Sequence, residues 1–274
     1  MTGLIGRHAA LLATAAMFLV PTYMVVVNAF KSKVDILRSP LDVPLDRLTT
    51  ANFAAVLNQT SAPIGGAYVF STALALTSAV GVVVFGSALS YVVARMRGPW
   101  ADRLFIFLFL GLIVPPQVVV IPVVKVLAAL GLLHTLPGLI LYEIALEIPF
   151  ATFVYVGFIR SVPRDLEEAA QIDGANRIQT FVRVVFPVLT PATASLFVLV
   201  LIFVWNDFVN PLVVLGTTGG ATITTGIYRS IGVYQQDWGA IYANIVLASA
   251  PMIAVYFAMQ RFIVGGLTGG AVKG

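Results

Sequence analysis

Residues 67–94, AYVFSTALALTSAVGVVVFGSALSYVVA, decide the fold class of this chain. The stretch carries no charged residue and exceeds the roughly 20 apolar residues that an α-helix needs to cross a bilayer. Its apolar character is continuous, whereas a strand of a membrane β-barrel alternates apolar and polar residues. Of all 274 residues, 59% are hydrophobic and only 10% are charged, whereas a soluble domain has about 25% charged residues. The sequence therefore predicts an all-α integral membrane protein.

Five further apolar runs extend the prediction to a polytopic protein with six transmembrane helices in one domain, residues 1–274. The predicted spans are 9–30, 67–94, 104–124, 138–159, 188–215 and 240–259. The first run is longer than the apolar part of a secretory signal peptide, about 7–15 residues, so we expect it to be retained.

Prolines and polar residues divide these runs. Pro115, Pro116 and Pro122 are expected to break the third span, and residues 125–137 to connect it to the fourth. The polar segment 31–66 is predicted to contain a short amphipathic helix over 52–57.

The distribution of Lys and Arg favours cytoplasmic N and C termini. In that orientation ten of these residues lie in cytoplasmic segments and six in outer segments, which agrees with the positive-inside rule. The outer segment 31–66 contains four of the six outer Lys and Arg residues, which counts against this orientation. The net charge of +4 follows from this loop bias, so no nucleic-acid partner is expected. Cysteine is absent, which excludes disulfides and thiolate metal sites.

Residues 161–187 form the longest charged stretch in the second half of the chain. Pro163 suits the first turn of a helix, and the acidic residues that follow it suit the positive end of a helix dipole. Gly174 suits the end of that helix, and residues 176–186 have apolar side chains at helical spacing. We expect two short helices joined by a sharp turn on the cytoplasmic face. On physical grounds alone they could simply cap the helix bundle.

Within this stretch stand Glu168-Ala169-Ala170, then Asp173-Gly174-Ala175, and later Pro187. These motifs resemble the EAA loop of ABC-importer permeases, although Phe186 stands where the family often has Leu. We call residues 161–187 the EAA-like loop. The resemblance implies a coupling helix that docks on an ATPase subunit. The implied coupling residues are Glu167, Glu168, Ala169, Ala170, Asp173, Gly174, Ala175 and Pro187.

Other motifs are similar to the smaller permease of maltose-type carbohydrate importers. They are Pro115-Pro116-Gln117, the run 130–135, Trp205-Asn206-Asp207-Phe208, Gln260-Arg261-Phe262 and the C-terminal run 266–274. The resemblance implies a type I ABC-importer permease fold in a prokaryotic inner membrane. It also implies a second homologous permease, two cytoplasmic ATPase subunits, an extracytoplasmic solute-binding protein and a carbohydrate substrate. Segments 31–66 and 216–239 are then the expected contacts with the binding protein.

Polar residues inside the predicted spans are functional candidates, because burying them in a bilayer is costly. Glu143 and Glu147 are four residues apart and share a helix face. Asn206, Asp207 and Asn210 cluster in the fifth span, and Gln117 lies beside the proline pair. These six residues could line a hydrated sugar path. Alternatively, they could bond neighbouring helices or a partner subunit.

No catalytic, cofactor or metal site is expected. The sequence lacks a Walker A motif, an HExxH motif and a dinucleotide fingerprint, and His8 and His134 are isolated. We therefore expect a transport subunit that is not itself an enzyme. The alternative is a secondary transporter that uses an ion gradient through Glu143, Glu147 or Asp207, but such a carrier needs no EAA-like loop.

Overall fold

The computed structural model describes residues 2–59, 64–234 and 237–269. The described residues form α-helices, one π-helical turn and connections. The helices are α1 (Thr2–Ala29), α2 (Lys33–Arg38), α3 (Ala51–Leu57), α4 (Ile64–Arg95), α5 (Pro99–Leu110), α6 (Pro116–Ala129), α7 (Leu136–Ser161), α8 (Asp165–Ile172), α9 (Arg177–Thr180), α10 (Phe186–Val188), α11 (Thr190–Asn206), α12 (Val209–Leu215), α13 (Ile223–Tyr234) and α14 (Trp238–Gly269). The π-helical turn, Phe181–Val185, lies between α9 and α10.

Three described helices are long and apolar enough to cross a membrane by themselves: Ile64–Arg95, Leu136–Ser161 and Trp238–Gln260. They confirm helical structure at the predicted second, fourth and sixth spans. A bent pair, Arg177–Val188 and Thr190–Asn206, would provide a fourth span if its 78° bend lies within one crossing. Thr14–Ala29 and Pro116–Ala129 are shorter apolar helices.

The predicted third and fifth spans are each divided. The third is interrupted between α5 and α6, at Pro115 as expected. However, α6 continues through Pro122 to Ala129, so the predictions of a break at Pro122 and of a connection beginning at residue 125 are wrong. A proline inside an apolar helix is tolerated where its surroundings satisfy the freed backbone group. The fifth span is divided between α11 and α12 at Asp207 and Phe208.

Backbone contacts divide the chain into two compact units. The first contains residues 1–68 and 223–253, and the second contains residues 69–222 and 254–274. Three of the predicted regions include residues outside the described part of the chain: 60–63 in segment 31–66, 235–236 in segment 216–239, and 270–274 in the C-terminal motif.

In the first unit, the segment after α1 is held by buried polar groups. The Lys31 side chain is fully buried, and its Nζ donates to the carbonyl oxygen of Ser39 at 2.9 Å. Asn52, at the start of α3, donates to the carbonyl oxygens of Ala29 at 2.9 Å and Lys31 at 2.8 Å. The predicted short helix in this segment is confirmed as Ala51–Leu57.

In the second unit, α7 packs against α5, α11 and α12. The rings of Phe150 on α7 and Phe203 on α11 are 6.1 Å apart. Further along the same helices, the buried Tyr155 hydroxyl lies 3.0 Å from Thr193 Oγ1. Glu143 and Glu147 lie on one face of α7. These contacts hold that face against residues 206–210.

Candidate functional site

The EAA-like loop has the predicted form of two short helices joined by a sharp turn. Gly174 makes that turn with a φ of 88°, a conformation that residues with a Cβ rarely adopt. Asn176 and Gln179 then begin α9 with a capping box, in which each side chain accepts from the backbone N–H of the other at 2.9 Å. The turn was predicted from Gly174 alone, and the capping box is a second local feature that supports it.

Pro163 plays a different part from the predicted one. It lies before α8, which begins at Asp165, and so is not in the first turn of that helix. The residue before a proline is disfavoured in helical conformation, and Val162 is extended. Pro163 therefore ends α7, and the extended Val162 separates α7 from α8.

Most of the predicted coupling residues lie on the surface. Glu168, Ala169, Asp173, Gly174 and Pro187 are exposed, whereas Ala170 and Ala175 are half-buried. Two apolar side chains of the loop are also exposed, Ile172 at 86% and Ile178 at 75%. The loop thus presents charged and apolar groups together to its surroundings.

Glu167 differs from its exposed neighbour Glu168, because it is only 6% exposed. Its carboxylate contacts Arg95 and Tyr91 of α4, two residues that were not among the predicted site residues. The sequence offered one indication of their common role: they are four residues apart at the end of a span and so share a helix face. A groove of about 940 Å³ lies between this end of α4 and the EAA-like loop.

The six polar residues predicted inside the spans line a single cavity of about 280 Å³, the polar cavity. They are Gln117, Glu143, Glu147, Asn206, Asp207 and Asn210. They come from the start of α6, the middle of α7 and the break between α11 and α12. The apolar part of the lining, which includes Phe203, could not be predicted, because nothing in the local sequence distinguishes Phe203 from its apolar neighbours.

Hydrogen bonds hold the inner side of the polar cavity. Glu143 is 2% exposed and Asn210 is 4% exposed, and Asn210 Nδ2 donates to Glu143 Oε1 at 3.4 Å. The Asp207 carboxyl group lines the same part of the cavity as Glu143. Asp207 Oδ1 accepts from the backbone N–H of Val209 at 3.0 Å, so it caps α12.

The outer side of the polar cavity is more accessible. Gln117 and Asn206 are exposed, and Glu147 is half-buried one helical turn from Glu143. Carboxylate and amide groups beside Phe203 can hydrogen-bond the hydroxyl groups of a ligand while an aromatic ring packs on its apolar face. Within residues 2–59, 64–234 and 237–269, no three His, Asp or Glu side chains are grouped to hold a metal ion.

Long apolar helices, a polar cavity among them and an exposed EAA-like loop are the features of a transport permease. The chain belongs to the family described as "binding-protein-dependent transport system inner membrane component", whose sequence pattern matches residues 86–268.

Individual relatives match nearly the whole chain. The diacetylchitobiose uptake system permease protein NgcG of Streptomyces coelicolor is 33% identical, over 97% of this chain and 88% of the relative. The multiple sugar-binding transport system permease protein MsmG of Streptococcus mutans is 32% identical, over 97% of this chain and 96% of the relative. A subunit of a bacterial ABC transporter that imports the acidic polysaccharide alginate has the same fold, with a TM-score of 0.80 and 20% identity over 94% of this chain and 95% of that chain.

Proposed function

We propose that this chain is one permease subunit of an ATP-driven carbohydrate importer in a prokaryotic inner membrane. The observation that carries the proposal is the exposed EAA-like loop in a chain whose relatives are named as sugar-uptake permeases. The protein has six spans and both termini in the cytoplasm. It pairs with a second homologous permease, and ATP is hydrolysed by two partner subunits.

The coupling part of the proposal is supported by what the EAA-like loop exposes. Glu168 provides a charged contact and Ile172, one turn later, an apolar one. Exposed apolar groups among polar ones are typical of a protein–protein contact. ATP binding draws the two ATPase subunits together, the docked loops follow, and the permease pair changes from inward-facing to outward-facing. The sugar is delivered by an extracytoplasmic binding protein, which contacts segments 31–66 and 216–239.

Reversing one exposed charge tests the coupling role. We expect Glu168→Lys to abolish uptake and the retention of ATPase subunits on the purified permease, because a cation replaces the charged contact. Membrane insertion should be unchanged, as the side chain is exposed. Asp102→Lys is the matched control outside the loop; it breaks only a solvent-exposed ion pair with Arg160 at 4.0 Å, which contributes little, so transport should be normal. Normal uptake by Glu168→Lys would contradict the coupling role.

The transport path is proposed to include the polar cavity. We expect Glu147→Gln to raise the sugar concentration needed for half-maximal uptake by about tenfold, the effect of losing one charge-assisted hydrogen bond. ATP hydrolysis by the assembled importer should persist. Asp102→Asn makes the same chemical change outside the cavity and should leave uptake unchanged. Unaltered uptake by Glu147→Gln would indicate a structural role for this carboxylate.

The carboxyl groups around the polar cavity also fit the alternative of a carrier driven by an ion gradient. Uptake into proteoliposomes distinguishes the two. The ATP-driven importer requires the ATPase subunits, ATP and the binding protein, whereas a gradient-driven carrier takes up sugar when a proton gradient alone is imposed.

A further inference from the structure

The last helical turn of α4 faces the EAA-like loop with two polar side chains. Tyr91 and Arg95 are four residues apart and therefore share one face of the helix. Both reach Glu167 of α8, 76 and 72 residues further along the chain. The contact joins a membrane helix to the loop that is proposed to meet the ATPase subunit.

Both carboxylate oxygens of Glu167 are occupied within the chain. Its Oε1 lies 2.6 Å from Arg95 Nε and 2.6 Å from Arg95 Nη2, and its Oε2 accepts from the Tyr91 hydroxyl at 2.8 Å. Arg95 Nη2 also donates to the carbonyl oxygen of Val162 at 3.0 Å. Arg95 therefore holds both the start of α8 and the extended residue before it.

This contact is shielded from solvent. The side chains of Arg95 and Glu167 are 14% and 8% exposed. Hydrogen bonds between charged groups are strong, and their strength increases where water is excluded. Removing one partner of a buried ion pair leaves a charge without compensation. The contact is thus less screened by solvent than an ion pair on an open surface, and breaking it costs more.

The second half of the EAA-like loop is tied to the same turn of α4. The Tyr91 ring lies 5.0 Å from the ring of Phe181, at the start of the π-helical turn, and Phe181 lies 5.9 Å from Phe186. One helical turn therefore contacts the loop on both sides of Gly174.

We propose that Tyr91, Arg95 and Glu167 form a clamp that makes α4 move with the EAA-like loop. The inference rests on the proposed coupling function and assigns its two adjacent glutamates different tasks. Glu168 is exposed at the edge of the groove and is the glutamate available to the ATPase subunit, whereas Glu167 is buried against α4. Without the clamp, α8 keeps its extended connection to α7 and its packing on α9 and the π-helical turn, but it loses the two side-chain contacts from α4 described above. All three clamp residues are positioning residues that act through the loop.

The clamp is tested in the complete importer, reconstituted with its ATPase subunits and binding protein. We expect Glu167→Gln and Arg95→Gln to retain bound ATPase subunits, because neither side chain faces the partner. The ratio of binding-protein-stimulated to basal ATP hydrolysis should fall about tenfold, within the usual range of coupling between sites. Arg103→Gln, at an exposed arginine of α5, is the matched control. The charge-reversed pair Arg95→Glu with Glu167→Arg should restore part of the lost ratio.

A distance measurement separates the clamp from a general effect on folding. The chain has no cysteine, so spin labels can be placed at Val92→Cys on α4 and Asp165→Cys on α8, both at exposed positions outside the coupling residues. With the clamp intact, their separation should stay the same with and without ATP, while in Glu167→Gln it should change between the two states. If a charge variant fails to insert, Tyr91→Phe removes only the hydroxyl contact and should give a smaller change of the same kind.

Two outcomes are decisive. An unchanged stimulation ratio and an unchanged label separation in the inserted variants would overturn the clamp. Failure of the unmodified permease to retain ATPase subunits would instead overturn the proposed function, so the two failures are distinguishable.

Discussion

Gly138 shows how closely the chain packs where α7 begins. A Cβ at this position would overlap the backbone carbonyl oxygen of Leu132. The Gly138 N–H donates to Thr135 Oγ1 at 3.1 Å, so the same residue takes part in the cap that starts the helix. Backbone atoms cannot turn away as a flexible side chain can, so relief of the overlap must shift the cap.

We therefore expect Gly138→Ala to destabilise the protein by about 1–3 kcal/mol, the usual cost of overpacking. Gly157→Ala is the matched control in the same helix, because a Cβ there meets nothing within 4 Å. It should be neutral or stabilising by up to about 1 kcal/mol, since alanine is the better helix former. Thermal unfolding of the two variants in detergent measures the difference. Equal midpoints would show that the start of α7 can rearrange without cost.

The break between α11 and α12 is a feature at the scale of whole helices. Asp207 is extended, and its side chain provides the acceptor that the first N–H groups of α12 need. Within a bilayer no water can bond a free N–H group, so each unsatisfied one costs several kcal/mol. By accepting this hydrogen bond, the carboxylate lowers the cost of a break in an apolar segment. The break in turn places Asn210 beside Glu143.

Two substitutions of Asp207 separate its capping role from its charge. Asp207→Asn keeps a side-chain oxygen as acceptor, whereas Asp207→Ala removes it. Loss of an N-cap costs about 1 kcal/mol, so we expect amide hydrogen exchange at Val209 and Asn210 to be about fivefold faster in Asp207→Ala than in Asp207→Asn. Similar exchange rates in both variants would mean that the break does not depend on this cap.

At the scale of the molecule, the parts that could be predicted are those with local causes. Uninterrupted apolar runs predicted the three long helices, and the positions of Gly174 and Pro187 helped to predict the EAA-like loop. The contact of Glu167 with Arg95 could not be predicted, because the two residues are 72 positions apart and nothing in the sequence around either one indicates its partner. The end of α6 was mispredicted for a related reason, since the effect of Pro122 depends on what surrounds it.

The broken third span also affects the transmembrane topology. In the proposed six-span topology, three crossings separate segment 31–66 from the EAA-like loop, which would put these regions on opposite sides of the membrane. If α5 and α6 instead enter and leave from the same side, only two crossings separate the regions, and both lie on one side. The ten-to-six distribution of Lys and Arg favours three crossings.

Cysteine labelling decides between these topologies, because the natural chain has no cysteine to give a background. Leu45→Cys, at a position that is 81% exposed, should react with a membrane-impermeant maleimide in intact cells. Asp173→Cys, exposed in the EAA-like loop, should react only after the membrane is permeabilised, because a cytoplasmic residue is shielded from the reagent. Reaction of both positions in intact cells would contradict three crossings and would identify α5 and α6 as a re-entrant pair. It would also remove the EAA-like loop from the side where ATP is hydrolysed, and with it the proposed coupling.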